Sequence, residues 1–258
     1  MKRKGEQKMY FNDVHILVYV LVGMIGLGIG QFVHWMNKRL IDEKKVFSME
    51  IFSKEESRIK SNYILMLITG VLYIGILYKY GIKTGFFQNL DLIKAFILTP
   101  MLLSVFVIDY QKQIIPNRLN LTLFEIGLVF TFIYGFTNYN LAINMLLGAL
   151  VGGGIFLLIT LIGGMIAGKE AMGFGDVKLM GALGLYFGAM NIGVVAILSF
   201  LIGAILSILL IVFKVKKTSD YIPFGPFIVM AAFIMMFVPF GNIISILFTI
   251  FTLGLNRA

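Results

Sequence analysis

Apolar runs long enough to cross a lipid bilayer occupy most of this chain and leave it little freedom of fold. Eight runs stand out, at 14–35, 63–80, 92–108, 119–136, 141–165, 177–188, 192–213 and 227–253. A helix needs about 20 apolar residues to cross the hydrocarbon core, and these runs are continuous blocks rather than short periodic stripes. The sixth reaches only about 18 Å at about 1.5 Å per residue. The eighth contains "VPFGN" at 238–242, which leaves both a kinked span and a hairpin open. The expected fold is therefore all-α: a polytopic helical membrane protein with about eight membrane segments. Its sixth segment is short and its eighth a candidate for a break.

Composition supports this class and removes others. Hydrophobic residues make up 59% of the chain and charged residues 14%, where a soluble domain carries about 25% charged. There is no cysteine, so disulfides and thiolate metal sites are excluded. The net charge of +9 is spread over the loops, which points to membrane topology and anionic headgroups and not to nucleic acid. With the 37–62 loop placed inside, the inner loops hold fourteen Lys and Arg and the outer segments seven, Arg257 being unassigned. That two-to-one bias favours the orientation, although the basic N-terminal tail opposes it. The first run lacks an Ala-x-Ala-like cleavage site and reads as a retained helix. Three parts follow: 1–36, a tail and first span; 37–62, a hydrophilic cytosolic loop; and 63–258, a membrane core.

Glycines cluster within the spans, as in "GMIGLGIG" at 23–30 and "GALVGGG" at 148–154. Close helix packing explains such glycines, and no strand precedes them to suggest a nucleotide loop. The acids are more informative. Of thirteen, ten fall in tails and loops. Asp109, Glu125 and Asp176 lie at or within apolar runs, where an ionisable group is by default a functional candidate. Glu125, in "LTLFEIGL" at 121–128, has no motif around it and is expected to face the bundle interior with a polar partner. His15 and His34 sit at the ends of the first span and read as interfacial, which makes a poor metal site.

Asp109 closes the third run in "VFVIDYQKQIIPNRL" (105–119), and Asp176 opens the sixth in "AMGFGDVKLMGALG" (171–184). Each alone could be a wetted border acid, and Asp176 would suit a helix start. The topology above puts both at one membrane face, so they can converge although 67 positions apart. Two converging carboxylates share a proton, because both cannot ionise easily, and they titrate as a pair. The ionised member then serves as general base toward water while the protonated one polarises a carbonyl. This chemistry needs no metal and no nucleophilic side chain. Gly173 and Gly175 would leave room for the turn and for a substrate backbone beside Asp176.

These residues resemble a known family. Asp109 at a span end, "IPN" (Ile115, Pro116, Asn117), "GFGDVK" (Gly173, Phe174, Gly175, Asp176, Val177, Lys178) and "YIPFGPF" at 221–227 with Pro223, Gly225 and Pro226 are similar to the bacterial type IV prepilin peptidases. These are membrane aspartyl proteases of the Gly-x-Gly-Asp class. The resemblance implies that Asp109 and Asp176 are the catalytic pair. It also implies a prepilin or pseudopilin substrate, with a basic leader cut after glycine at the cytosolic face of the inner membrane. Many members then methylate the new N-terminus with S-adenosylmethionine. Many also bind zinc through two Cys-x-x-Cys pairs in the first cytosolic loop. The 37–62 loop here has no cysteine, so no zinc is expected, and methylation loses its usual support. "GQFVHWMNKRL" at 30–40 keeps Gly30, Phe32, Arg39 and Leu40 of a typical pattern, with His34 where asparagine is usual. The competing reading is a proton-coupled transporter relaying through the same acids. It would call for a midplane site and inverted repeats, and no repeat is evident.

Overall fold

The computed structural model describes residues 10–11, 14–42, 61–168, 172–215 and 222–252. Expectations that fall on 43–60 of the hydrophilic loop, on Glu170 and on Tyr221 lie outside the described residues. A two-residue ladder, β1 (Tyr10–Phe11) with β2 (Val14–His15), precedes the helices. These are α1 (Ile16–Ile41), α2 (Tyr63–Tyr80), α3 (Leu90–Lys112), α4 (Asn117–Gly135), α5 (Tyr139–Ala167), α6 (Phe174–Phe187), α7 (Ala189–Val212), α8 (Gly225–Phe237) and α9 (Phe240–Phe251). Six of them, α1 to α5 and α7, are long and apolar enough to cross a membrane. The chain is thus all-α and polytopic, as expected, with the sixth segment short and the last one broken; among the described residues six helices are of spanning length, so a count of eight is not confirmed. α6 has 14 residues, about 21 Å. The last run is two helices bent by 118°, a seventh span only if taken together. The break sits at Val238, which is extended (ψ 130°), as the residue before a proline tends to be.

The chain divides into two compact units, Met1–Lys112 and Gln113–Ala258. In the first, α1 and α2 pack along a glycine seam. A Cβ on Gly26 would stand 2.8 Å from the Gly70 Cα, and one on Gly30 would stand 2.6 Å from the Met66 Cα. Contacts that run backward along α2 as α1 advances make the pair antiparallel. Side chains on those faces would force the backbones apart, so these glycines serve close packing. α3 joins through Tyr73, whose hydroxyl donates to the Phe96 carbonyl at 2.9 Å. His15 caps α1, its Nδ1 accepting from the Leu17 amide at 3.3 Å.

In the second unit α6 lies between two partners. α5 runs antiparallel to it along another seam, with Gly148 on Gly184 and Gly152 on Met180 in backbone contact. Asn144 Oδ1 accepts from the Ala189 amide at 3.2 Å just past the α6 end. α4 runs alongside α6 in the same direction. Gly127 admits Leu185, where a Cβ would be 2.8 Å from the Leu185 Cβ, and the Tyr186 hydroxyl donates to the Leu123 carbonyl at 2.8 Å. The result is a short helix whose residues Leu179, Met180, Leu183 and Leu185 are wholly buried.

Candidate active site

Asp176 stands in the first turn of α6, whose N-cap is Gly173 (φ −68°, ψ 138°). It is 5% exposed, and its Oδ2 lies 3.5 Å from where a Cβ on Gly173 would be. A carboxylate in a first helical turn is favoured by about 0.3–1 kcal/mol, so the placement is locally stable whatever its use. Phe174 is exposed. Among the described residues the left-handed glycines are Gly81, Gly168 and Gly188, so neither Gly173 nor Gly175 is needed for backbone freedom. Gly175 has a different reason: a Cβ there would meet the Ile115 Cβ at 3.3 Å. The space that the sequence suggests for a substrate backbone is, at this glycine, held by Ile115.

That contact shows where the second motif goes. Pro116 (φ −58°, ψ 131°) caps α4, so Ile115, Pro116 and Asn117 lead straight into its first turn. Lys178 Nζ donates to Asn117 Oδ1 at 2.8 Å. One turn on, Asn120 Nδ2 donates to the Gly175 carbonyl at 3.0 Å. The "IPN" and "GFGDVK" stretches are thus one structure, with contacts at 175 and 178 on either side of Asp176. Asn117, Asn120, Leu121 and Phe124 of α4 and Lys178, Gly181 and Ala182 of α6 line a cavity of about 420 Å³. Asn120 is 3% exposed and its Oδ1 is buried without a hydrogen-bond partner, an omission that costs about 1–3 kcal/mol.

Asp109 lies in the last turn of α3, which continues to Lys112, and is likewise 5% exposed, beside the fully buried Val105 and Ile108. The chain leaves α3 through Gln113 at φ 57°, a left-handed conformation that costs a non-glycine residue about 1–3 kcal/mol. The third motif goes elsewhere. Pro223 precedes the Phe224 N-cap of α8, while Gly225 and Pro226 form its buried first turn. Phe224 packs on Phe156 of α5 (6.0 Å) and Phe200 of α7 (4.9 Å). Phe227 comes within 2.9 Å of where a Cβ on Gly203 would be. This stretch anchors α8 within the second unit.

Glu125 overturns its expectation. It is exposed, because Leu123 and Gly127 take the packed side of α4 and residue 125 points about 200° from Leu123. Sequence reading also missed Asn120. The available signal was two asparagines three apart, Asn117 and Asn120, on one face at the start of an apolar helix.

The zinc of many prepilin peptidases does not fit this chain. There is no cysteine to ligate it, and the described residues hold no group of three His, Cys, Asp or Glu that could replace such ligands.

Residues 96–208 match the model of the type IV leader peptidase family. The chain is 36% identical over 140 residues to a prepilin leader peptidase/N-methyltransferase of Aeromonas hydrophila, covering 54% of this chain and 47% of that one. Proteins of the same name from Xanthomonas campestris pv. campestris and Neisseria gonorrhoeae are 31% identical over 176 residues and 32% over 180. They cover 68% and 69% of this chain and 58% of each relative. The chain therefore matches about half the length of its curated relatives. No solved structure matches it.

Proposed function

By residues 96–208 the chain belongs to the type IV leader peptidase family, and on that premise we propose that it is a membrane aspartyl endopeptidase acting on prepilins or pseudopilins. The observation that carries this reading is where the match falls. It contains Asp109, the Ile115-Pro116-Asn117 stretch and the Gly173 to Lys178 stretch together. Asp109 and Asp176 are proposed as one acid pair. The ionised carboxylate takes a proton from a water, whose oxygen attacks the scissile carbonyl. The protonated carboxyl donates to that carbonyl's oxygen. The tetrahedral intermediate then collapses, the C–N bond breaks, and the leaving amine takes up a proton from the pair.

The cut is proposed after the glycine that ends a basic leader, at the cytosolic face of the inner membrane. Methylation of the new N-terminus from S-adenosylmethionine is carried as a second proposed activity, with no residues assigned to it. The test is co-expression with a prepilin. Asp109→Asn and Asp176→Asn are each expected to lower cleavage at least a thousandfold, since members of such a unit fail together. A variant that cut at the wild-type rate would remove its aspartate from the mechanism. A prepilin left intact by the wild type would favour proton-coupled transport through the same acids.

A further inference from the structure

Asn120 is a polar side chain that stability alone does not explain. It is 97% buried, given its 3% exposure, and shares its side of α4 with Asn117, Leu121 and Phe124. Its Nδ2 is committed to the Gly175 carbonyl at 3.0 Å. That bond also fixes the amide's orientation, because turning it over would set Oδ1 against the Gly175 oxygen. The remaining acceptor is left buried and unpaired. An apolar residue of the same size would avoid that penalty, and a half-satisfied polar group retained in a packed site is the kind of local violation expected where function sets the choice.

What the bond holds is the peptide unit between Gly175 and Asp176. Ile115 presses on the same glycine, where a Cβ would lie 3.3 Å away, and Asn117 holds Lys178 two residues beyond the aspartate at 2.8 Å. The first turn of α6 is thus fixed from α4 on both sides of Asp176. We propose that Asn120 is a positioning residue for Asp176: its amide clasps the Gly175 carbonyl and so sets the aim of the carboxylate, at the expense of its own unpaired oxygen. This rests on the peptidase reading for its catalytic meaning, though not for the clasp itself. A small misplacement of a reacting group is enough to cost one to two orders of magnitude in rate.

The experiment uses the full chain in detergent and compares wild type, Asn120→Leu and Asn120→Asp. The leucine variant removes both the clasp and the orphan acceptor. The aspartate variant keeps the shape and removes the donor. Both are expected to lower kcat on a prepilin ten- to a hundredfold with KM changed less than threefold. Asn120→Leu should melt at or above the wild-type temperature, an opposition of stability and rate that a merely structural residue would not show. Hydrogen exchange in the 173–180 segment should speed several-fold in Asn120→Leu while α5 and α7 stay as they were. Unchanged exchange there, wild-type kcat, or a rate loss matched by a fall in melting temperature would each overturn the proposal. If the wild type cuts no prepilin, the peptidase reading fails separately, and the exchange measurement still decides whether the clasp exists.

Discussion

Asp109 and Asp176 are buried to the same degree, 5% exposed each, yet their backbones are held in different ways. Asp109 sits inside a continuous helix of 23 residues, one turn before its end, where the ordinary backbone ladder fixes its position. Asp176 sits at the start of a 14-residue helix whose first turn is gripped by side chains from α4 and from the residue leading into it. Ile115 packs on Gly175, Asn120 bonds its carbonyl, and Asn117 bonds Lys178. A long helix carries its own geometry, whereas a short one borrows geometry from its neighbours. Changes near Asp176 that touch neither reacting group should therefore matter more than comparable changes near Asp109.

The largest expected effect, after loss of either aspartate, comes from Gly175→Val. Its branched side chain would collide with Ile115, and overpacking of this kind costs about 1–3 kcal/mol. Turnover is expected to fall at least tenfold, with a lower melting temperature. Gly175→Ala should show a milder form of the same loss, and Ile115→Gly, which removes the Cβ that the new methyl would meet at 3.3 Å, should restore part of it in that background. Restoration would appear in a double-mutant cycle as coupling of about 0.5 kcal/mol or more. Strict additivity of the two would break the comparison.

A smaller effect is expected at Lys178→Met, which loses the bond to Asn117, worth about 0.5–1.5 kcal/mol, and lowers turnover a few-fold. On the other side Tyr110→Ala, one residue after Asp109 and 71% exposed, should change stability by no more than about 0.5 kcal/mol and leave turnover within twofold. If thermal melts and initial rates placed Tyr110→Ala level with Gly175→Ala, the contrast between the two acids would be lost. A small effect of the opposite sign belongs to Gln113→Gly. It relieves the left-handed strain past α3 and should raise stability by less than about 1 kcal/mol.

The class of fold was legible because apolar runs of membrane length admit few alternatives, and α2 has the limits that its run predicts, 63–80. The glycine seams were legible too, since Gly26, Gly30, Gly148 and Gly152 all meet backbone. The break before α9 was half legible: "VPFGN" marks it, but the 118° bend depends on packing around it. Glu125 was misread because hydropathy reports how apolar a helix is and not which side faces a neighbour. The two motif acids could be singled out from their surroundings, while Asn120 offered only its spacing from Asn117. Its meaning lies in a contact with a residue 55 positions away, which no local pattern encodes.

The central claim is that Asp109 and Asp176 act as one pair, and the absence of cysteine from the chain makes it directly measurable. Asp109→Cys with Asp176→Cys places the only two thiols at the two positions, in a protein that cannot cut. With a prepilin bound, the account predicts an intramolecular cross-link with a mild oxidant or a short bifunctional thiol reagent. The reagent covers carboxylate pairs whose Cα atoms lie beyond the roughly 7 Å that a direct disulfide requires. Ile115→Cys with Gly175→Cys, where a Cβ on residue 175 would lie 3.3 Å from the Ile115 Cβ, serves as the positive control. A control pair that cross-links while the 109–176 pair stays unlinked by either oxidant or bridging reagent, with and without prepilin, would contradict the shared-proton pair.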